Sequence, residues 1–339
     1  MGKTQEVDDT RYTYAVARIN ALSNRFLDRT FASRMLAAEP DEIIRMLGET
    51  TYSESFAGVD GPGQLETGLL RELRKTHDLL GTICPDKELI RLFRIRYDFH
   101  NLKAMLKSRI TGIPHTRSIM DLGTFGIGEL STAVREEAYR FVPSHLRDAA
   151  LDAMEEYERE GALYAISSVC DISMWRHLMQ EAVKHRNKIV IELFCEQINL
   201  VNIKTFVRMK EFKGEPELFT RYFIPGGSYS ADFFLRQMGE QLTFFLNHLR
   251  TTRYEHQIVS YGFRMWPDDK SFWRLEAACD NFVLEHFSKL RLRHFSIAPL
   301  IYHLLRKEAE AKLIRTVVKC KLIGMTRELI EERLRYIYV

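Results

Sequence analysis

Apolar residues recur at intervals of three and four along most of the chain, which is the spacing of an amphipathic α-helix. In the segment after Arg96 the apolar residues share one side of a helical wheel, and lysines lie on the other: Phe99, Leu102, Leu106 and Ile110. The same period recurs in three further stretches: residues 144–160, 171–197 and 307–323. Alternating β-branched runs bounded by turns are scarce. The sequence therefore predicts an all-α protein.

One helical pattern occurs three times. The stretches NLKAMLKSRITG, NIKTFVRMKEFKG and LIRTVVKCKLIG align with three bases in register: Lys103, Lys204 and Arg315. Each copy reads basic-x-x-Leu/Val-basic-x-basic and is predicted to end at a glycine: Gly112, Gly214 and Gly324. Repetition within one chain indicates a structural unit that has been copied.

The spacing of the copies predicts three helical units of roughly 110 residues each. We place them at residues 1–122, 123–223 and 224–339, with an insertion at about 51–91 in the first. Open solenoids stack many repeats of about 33–47 residues. Three long repeats favour closure into a pseudo-threefold body.

Polar residues occupy matching positions in the three copies. An acid or amide lies five residues before the leading base, and a further base lies six residues after it: Asp98 and Arg109, Asn199 and Lys210, Glu310 and Lys321. Two copies also share an asparagine: Asn101 and Asn202. An acid near the N-terminus of a helix and a base near its C-terminus interact favourably with the helix dipole. Each contributes about 0.3–1 kcal/mol to helix stability. We interpret these residues as caps of a packed helix.

Each copy also carries two bases four residues apart, here called the basic pairs: Lys103 and Lys107, Lys204 and Arg208, Arg315 and Lys319. Like charges at this spacing destabilise an exposed helix slightly. One interpretation is an ordinary solvated face. The other is that three basic surfaces around an axis steer a shared partner, itself ring-like or axle-like, toward the protein.

Composition excludes several classes of protein. A net charge of +3 is too small for a main partner that is a nucleic acid. Five scattered cysteines without a CxxC pair predict neither a disulfide framework nor a zinc site, and favour a reducing cytoplasm. The polar first residues predict no signal peptide, and no apolar run is long enough to span a membrane.

Candidate catalytic or cofactor motifs have simpler explanations. MGKT at residues 1–4 lacks the preceding glycine and strand of a phosphate loop, and GTFGIG at 123–128 is better explained as a turn. His177 and His185 are eight residues apart, too far along a helix to share one zinc ion. We predict no catalytic residue, no cofactor and no metal.

Four stretches together resemble the family formed by the C and d subunits of V-type and archaeal-type rotary ATPases: YTYAVARINALSNRFLD, YDFHNLKAMLKSR, INLVNIKTFVRMK and KEAEAKLIRTVVKCKLIGMTRELIEERLRYIYV. The resemblance covers nearly the whole chain. It implies a funnel of three helical bundles that binds no nucleotide. Such a protein sits on the cytoplasmic face of the membrane proteolipid ring, receives the central axle, touches the membrane only through the ring and transmits torque.

The family motif Asp-x-x-Asn-Leu/Ile-basic maps onto Asp98, Asn101 and Lys103, and onto Asn199, Asn202 and Lys204. Asn199 stands where an acid is usual, and Leu313 where the third unit often has asparagine. These departures favour a packing or capping role over chemistry.

A rival hypothesis is a generic helical scaffold or an RNA-binding helical repeat. It rests on bases that alternate with aromatic residues: Phe206, Phe212, Tyr222 and Phe223. Binding to RNA with a steep salt dependence would support it, whereas co-purification with rotary ATPase subunits would remove it.

Overall fold

The structure, a computed structural model, describes residues 9–114, 118–266, 270 and 272–334. Within these residues it contains helices, turns and loops but no strand, which confirms the all-α prediction. The first helices are α1 Thr13–Leu22, α2 Arg29–Ala37, α3 Pro40–Gly48, α4 Leu65–Ile83 and α5 Lys87–Thr111. The middle ones are α6 Ile127–Glu136, α7 Ser144–Glu160, α8 Leu163–Lys184, α9 Lys188–Glu211, α10 Pro216–Tyr222, α11 Ala231–Leu235 and α12 Leu242–Arg250. After a π-helix, Glu255–Gly262, come α13 Phe272–Leu290, α14 Ala298–Leu322 and α15 Arg327–Glu332.

The chain forms two compact units, and one of them is built from both ends of the sequence. This split unit comprises Met1–Lys87 and Leu249–Val339. Helix α14 lies at its centre, in contact with α1, α3, α4, α13 and α15, and most of its residues are buried. Apolar residues all round a helix are typical of such a central position.

The continuous unit comprises Glu88–His248. Helix α8 packs between α7 and α9. Phenylalanine rings fill the space below α9, with the Phe206 centroid 4.6 Å from that of Phe245 and 5.4 Å from that of Phe234. Aromatic pairs at such distances contribute about 0.5–1.5 kcal/mol beyond their burial.

A glycine follows each of the three repeated helices within three residues, but the conformations of these glycines differ. Gly112 and Gly324 follow α5 and α14 in the left-handed conformation, with φ of 69° and 74°. After α9 the left-handed residue is Lys213, with φ of 51°, and not the predicted Gly214. Gly214 instead donates its N–H to the Met209 carbonyl at 2.8 Å. Gly214 therefore lies one residue beyond Lys213, the left-handed position at which glycine is favoured.

Replacing Lys213 with glycine is therefore expected to raise the free energy of unfolding by about 0.5–1 kcal/mol, because glycine has no Cβ penalty at positive φ. Urea denaturation measures the change. The reciprocal control, Gly324→Lys, is expected to lower stability by a similar amount. A Lys213→Gly variant that unfolds at lower urea than the parent would contradict this account.

The predicted division at residues 122/123 and 223/224, the insertion at about 51–91 and the pseudo-threefold funnel stay predictions. In the described residues, no helix is both long and apolar enough to cross a membrane.

Candidate functional site

The three repeated helices are α5, α9 and α14, with 25, 24 and 25 residues. In each, the predicted acid or amide is buried: Asp98 and Asn199 are 1% exposed and Glu310 is 0% exposed. A buried polar group must find hydrogen bonds or destabilise the fold. The partners of these three residues define the site.

Asp98 accepts hydrogen bonds from a turn that follows its helix. Its carboxylate accepts from the Thr124 N–H at 2.9 Å, the Thr124 hydroxyl at 2.6 Å and the Phe125 N–H at 3.1 Å. Burial raises the pKa of the Asp98 carboxyl, while these hydrogen bonds act in the opposite direction. A Cβ at Gly123 would lie 2.0 Å from Asp98 Oδ1, so the turn needs glycine there.

Asn199 forms hydrogen bonds with the corresponding turn in the second copy. Its Oδ1 accepts from the Ser228 N–H at 2.7 Å, and its Nδ2 donates to the Ser228 hydroxyl at 3.3 Å. A Cβ at Gly227 would lie 2.4 Å from Oδ1. The amide thus keeps the acceptor oxygen that the backbone needs, and a glycine again allows the close approach.

Glu310 fills this role in the third copy, with a partner from the start of the chain. Its Oε1 accepts from the Leu27 N–H at 2.5 Å, and its Oε2 accepts from the Tyr52 hydroxyl at 2.8 Å. Burial raises the pKa of the Glu310 carboxyl, against the opposing effect of nearby Lys307. Each of the three bonded turns leads directly into a short helix, respectively α6, α11 and α2.

The trailing bases hold the other ends of the same short helices. Arg109 forms an ion pair with Glu137, which directly follows α6. The Lys210 ammonium donates to the carbonyls of Gln237, Met238 and Glu240, beyond the end of α11, at 2.5–2.9 Å. Lys321 donates to the Leu36 carbonyl, in the last turn of α2, at 2.8 Å.

Each long helix therefore grips both ends of one short helix, through an acceptor and a base eleven positions apart. That spacing corresponds to about 16 Å along a helix. We call this arrangement the clamp: Asp98 and Arg109, Asn199 and Lys210, Glu310 and Lys321. The residues cap a neighbouring helix rather than their own, which corrects our interpretation from the sequence. An acceptor at the N-terminus and a cation at the C-terminus match the dipole of the short helix.

The two asparagines strengthen two of the clamps. Asn101 donates to the Met120 carbonyl at 2.8 Å and accepts from its N–H at 2.9 Å. Asn202 makes the same pair with Ile224, at 2.7 and 3.0 Å. Leu313 in the third copy is buried and apolar. The motif thus has a structural role at each position that the structure describes.

The third clamp carries an additional buried network, the Lys307 cluster, formed by Tyr52, Ser55, Glu72, Lys307 and Glu310. Lys307 Nζ lies 3.1 Å from a carboxylate oxygen of Glu72 and 3.1 Å from one of Glu310. The Ser55 hydroxyl donates to Glu72 at 2.7 Å, and Lys307 lies over the Tyr52 ring at 4.5 Å. This cluster was not predicted from the sequence, where its signal is a charged KEAEAK stretch within a mostly apolar helix.

The basic pairs are not equivalent in their surroundings. Lys103 forms an ion pair with Asp171 of α8 at 2.5 Å. Arg315 binds Glu66 of α4 through two nitrogens at 2.8–3.0 Å, and Lys319 reaches the same carboxylate at 2.7 Å. Burial alone would raise the pKa of Glu66, but these two bases outweigh it and lower the pKa.

The remaining members of the basic pairs are Lys107, Lys204 and Arg208. Lys107 and Lys204 are half-buried and Arg208 is exposed. Among the residues that the structure describes, no carboxylate lies within 4.0 Å of Lys107 or Lys204.

The structure also locates the other motifs that were considered as nucleotide, cofactor or metal sites. MGKT lies outside the described residues. Residues 123–126 form the turn before α6, as predicted. The five cysteines all lie in the described part of the chain and form no disulfide bond. In the described part of the chain, no group of three or more His, Cys, Asp or Glu side chains is arranged to hold a metal ion.

The all-α fold agrees with the fold class that the sequence resemblance implies. A family model described as the ATP synthase (C/AC39) subunit matches residues 15–333. The chain belongs to this family.

Relatives found by sequence similarity are consistent with this family. The chain is 26% identical over 341 residues to the C subunit of the A-type ATP synthase of Thermococcus gammatolerans, covering 95% of this chain and 89% of the relative. It is 25% identical over 348 residues to the C subunit of the A-type ATP synthase of Methanosarcina mazei, covering 96% and 93%. Identity to the C subunit of the V-type sodium ATPase of Enterococcus hirae is 24% over 313 residues, covering 91% and 93%.

Proposed function

We propose that this chain is a non-catalytic central-stalk subunit of a V/A-type ATPase or ATP synthase. It joins the central axle to the membrane proteolipid ring, on the cytoplasmic face of the membrane, and passes torque between them. The observation that carries the proposal is the family match over residues 15–333, together with relatives named as the C subunit of such complexes.

The clamps suit a mechanical role. Only a rigid body transmits torque without loss, and closely packed protein interiors transmit strain well. In each clamp a short helix is fixed at both ends to a long helix: a buried acceptor binds the turn before the short helix, and a base binds a backbone or carboxylate oxygen near its end. Rigidity of this kind supports the proposed coupling and needs no bound cofactor.

Members of the basic pairs are the proposed electrostatic contacts to neighbouring subunits. Lys107 and Lys204 fit this role best, because Lys103, Arg315 and Lys319 already bind carboxylates of this chain. The partner surface they would meet is acidic. Such contacts raise the association rate and fix orientation more than they add affinity.

Affinity capture of the full chain from its native cells, followed by cross-linking and identification of the captured proteins, tests the proposal. We expect catalytic-head, axle and proteolipid-ring subunits of one rotary ATPase. Capture of RNA with a steep salt dependence, in the absence of those subunits, would support the RNA-binding alternative instead.

Reversing two charges together, Lys107→Glu with Lys204→Glu, is expected to weaken assembly with the captured subunits about tenfold or more at low ionic strength. The loss should shrink at high salt, where exposed charges are screened. The matched control is Lys188→Glu, an exposed lysine at the start of α9 outside the basic pairs. Equal assembly of the double variant and the control at low salt would reject this surface.

A further inference from the structure

Two histidine rings lie face to face between the helices of the α7–α8 hairpin. The ring centroids of His145, on α7, and His177, on α8, are 4.1 Å apart, and the ring planes differ by 6°. A tight turn at Gly161, with φ of 66°, joins the two helices. The Phe99 ring of α5 lies 5.9 Å from His145, tilted by 37°.

The stack is built for neutral rings. His145 Nε2 is buried and has no hydrogen-bond partner in the described part of the structure. Two imidazolium rings at this separation would repel each other, and a proton on the inaccessible nitrogen would lack an acceptor. Protonation of either ring therefore disfavours the stacked arrangement.

The charges around the pair offer little compensation. The facing acids are Asp148 of α7 and Glu181 of α8, and the facing bases are Arg91 of α5 and Lys184 of α8. Asp148 already binds Arg147 at 2.8 Å, and Glu181 binds Lys184 at 3.1 Å. His185 lies 4.0 Å from the same Glu181 carboxylate, and Arg91 lies 3.6 Å from Glu88. An imidazolium here would have no carboxylate of its own.

Besides this stack, α7 is held by a buried inner face and, near its C-terminal end, by bonds from Tyr222 to Glu156 and from Arg221 to Glu160. Its inner face consists of one leucine and three alanines: Leu146, Ala149, Ala150 and Ala153. Alanine side chains bury little apolar area, and the stabilisation from burial scales with that area. The histidine stack is a contact between α7 and α8 that protonation at low pH disrupts.

We propose that the His145–His177 stack is an acid-sensitive latch on the α7–α8 hairpin. The latch is closed while both rings are neutral and releases α7 when the imidazoles take up protons. This property goes beyond the proposed torque role and does not depend on it, because it is a property of the isolated chain.

The direction of the pH effect follows from linkage. Burial lowers the pKa of His145 to about 4, and burial also lowers the pKa of His177. Because the released state binds protons near the ordinary histidine pKa of about 6.5, the closed state loses stability as the pH falls from 6.5 towards 4. For His145 alone, a fall from pH 7 to pH 5 should increase hairpin opening about 20-fold.

Hydrogen exchange of the full chain at pH 7 and pH 5, corrected for the intrinsic pH dependence of exchange, measures this opening in α7. We expect the protection of α7 amides to fall about 20-fold in the parent. His145→Phe, which keeps an aromatic ring beside Phe99 but cannot titrate, should lose most of that change. The matched control His294→Gln removes an exposed histidine of the split unit and should keep it in full.

Equal corrected protection of α7 at both pH values in the parent would overturn the proposal, as would a His145→Phe variant with the full pH effect. If His145→Phe does not fold, the ring protons of His145 can be titrated by NMR in the unmodified chain. A midpoint near 4 supports the latch, and a midpoint near 6.5 overturns it.

Discussion

Replacing Lys307 with methionine is expected to lower the free energy of unfolding by about 3–5 kcal/mol, because two buried carboxylates would lose their shared cation. Glu72 and Glu310 each lie 3.1 Å from Lys307, and all three side chains are less than 10% exposed. Methionine fills similar space but cannot compensate charge. Urea denaturation of the full chain measures the loss.

The matched control is Lys312→Met, on the same helix α14. Lys312 pairs with Asp280 at 2.5 Å, but its side chain is 46% exposed. Surface pairs contribute at most about 1 kcal/mol, so this variant should unfold close to the parent. Equal urea midpoints for the two variants would mean that the Lys307 cluster does not stabilise the fold as inferred.

The Lys307→Met variant should also become sensitive to pH. Burial already raises the pKa of Glu310, and removal of the cation raises it further. The folded-state pKa of Glu310 then lies above the unfolded value of about 4.3. The protein therefore loses stability as the pH rises from the unfolded pKa to the folded-state pKa. The variant should therefore be more stable at pH 5 than at pH 7.

Replacing Gly123 with alanine is the second change with a large expected effect, a loss of about 2–4 kcal/mol in the free energy of unfolding. The new Cβ would lie 2.0 Å from Asp98 Oδ1 and 2.9 Å from its Cγ. Either the turn moves or Asp98 leaves the N–H groups of Thr124 and Phe125. Both outcomes leave a buried carboxyl with fewer hydrogen bonds.

The control for this prediction is Gly128→Ala, five residues further along, where an added Cβ meets nothing within 4 Å. Alanine at this position of α6 should be neutral or stabilise the helix by up to about 1 kcal/mol. In a Gly123→Ala, Asp98→Ala double variant the two losses should not add, because they act on one contact. Additive losses would show that the steric conflict lies elsewhere.

The long helices could be predicted from the sequence because their signal is local. Period-3.6 spacing identified buried residues of the first copy, Phe99, Leu102 and Leu106. Internal repetition likewise identified the clamp residues. The left-handed residue after α9 was not predicted, because glycine is the residue that usually adopts this conformation and here Lys213 adopts it.

What the clamp residues hold could not be predicted. Asp98 and Asn199 bind turns that follow them by fewer than thirty residues, but Glu310 binds Leu27, 283 residues earlier. Periodicity describes one helix at a time and carries no information about such distant pairing. The acids that neutralise Lys103 and Arg315 lie on other helices too, so the sequence predicted three equivalent basic pairs where the structure has differing ones.

The clamp between α14 and α2 sets the order in which the chain can mature. Residues Glu88–His248 are contiguous, so this part can acquire its contacts while later residues are still being translated. Helix α2 is translated before its two anchors, Glu310 and Lys321, which lie nearly three hundred residues later in the chain. Helix α2 can therefore be secured only late in synthesis, and until then its apolar surface is open to chaperones and to aggregation.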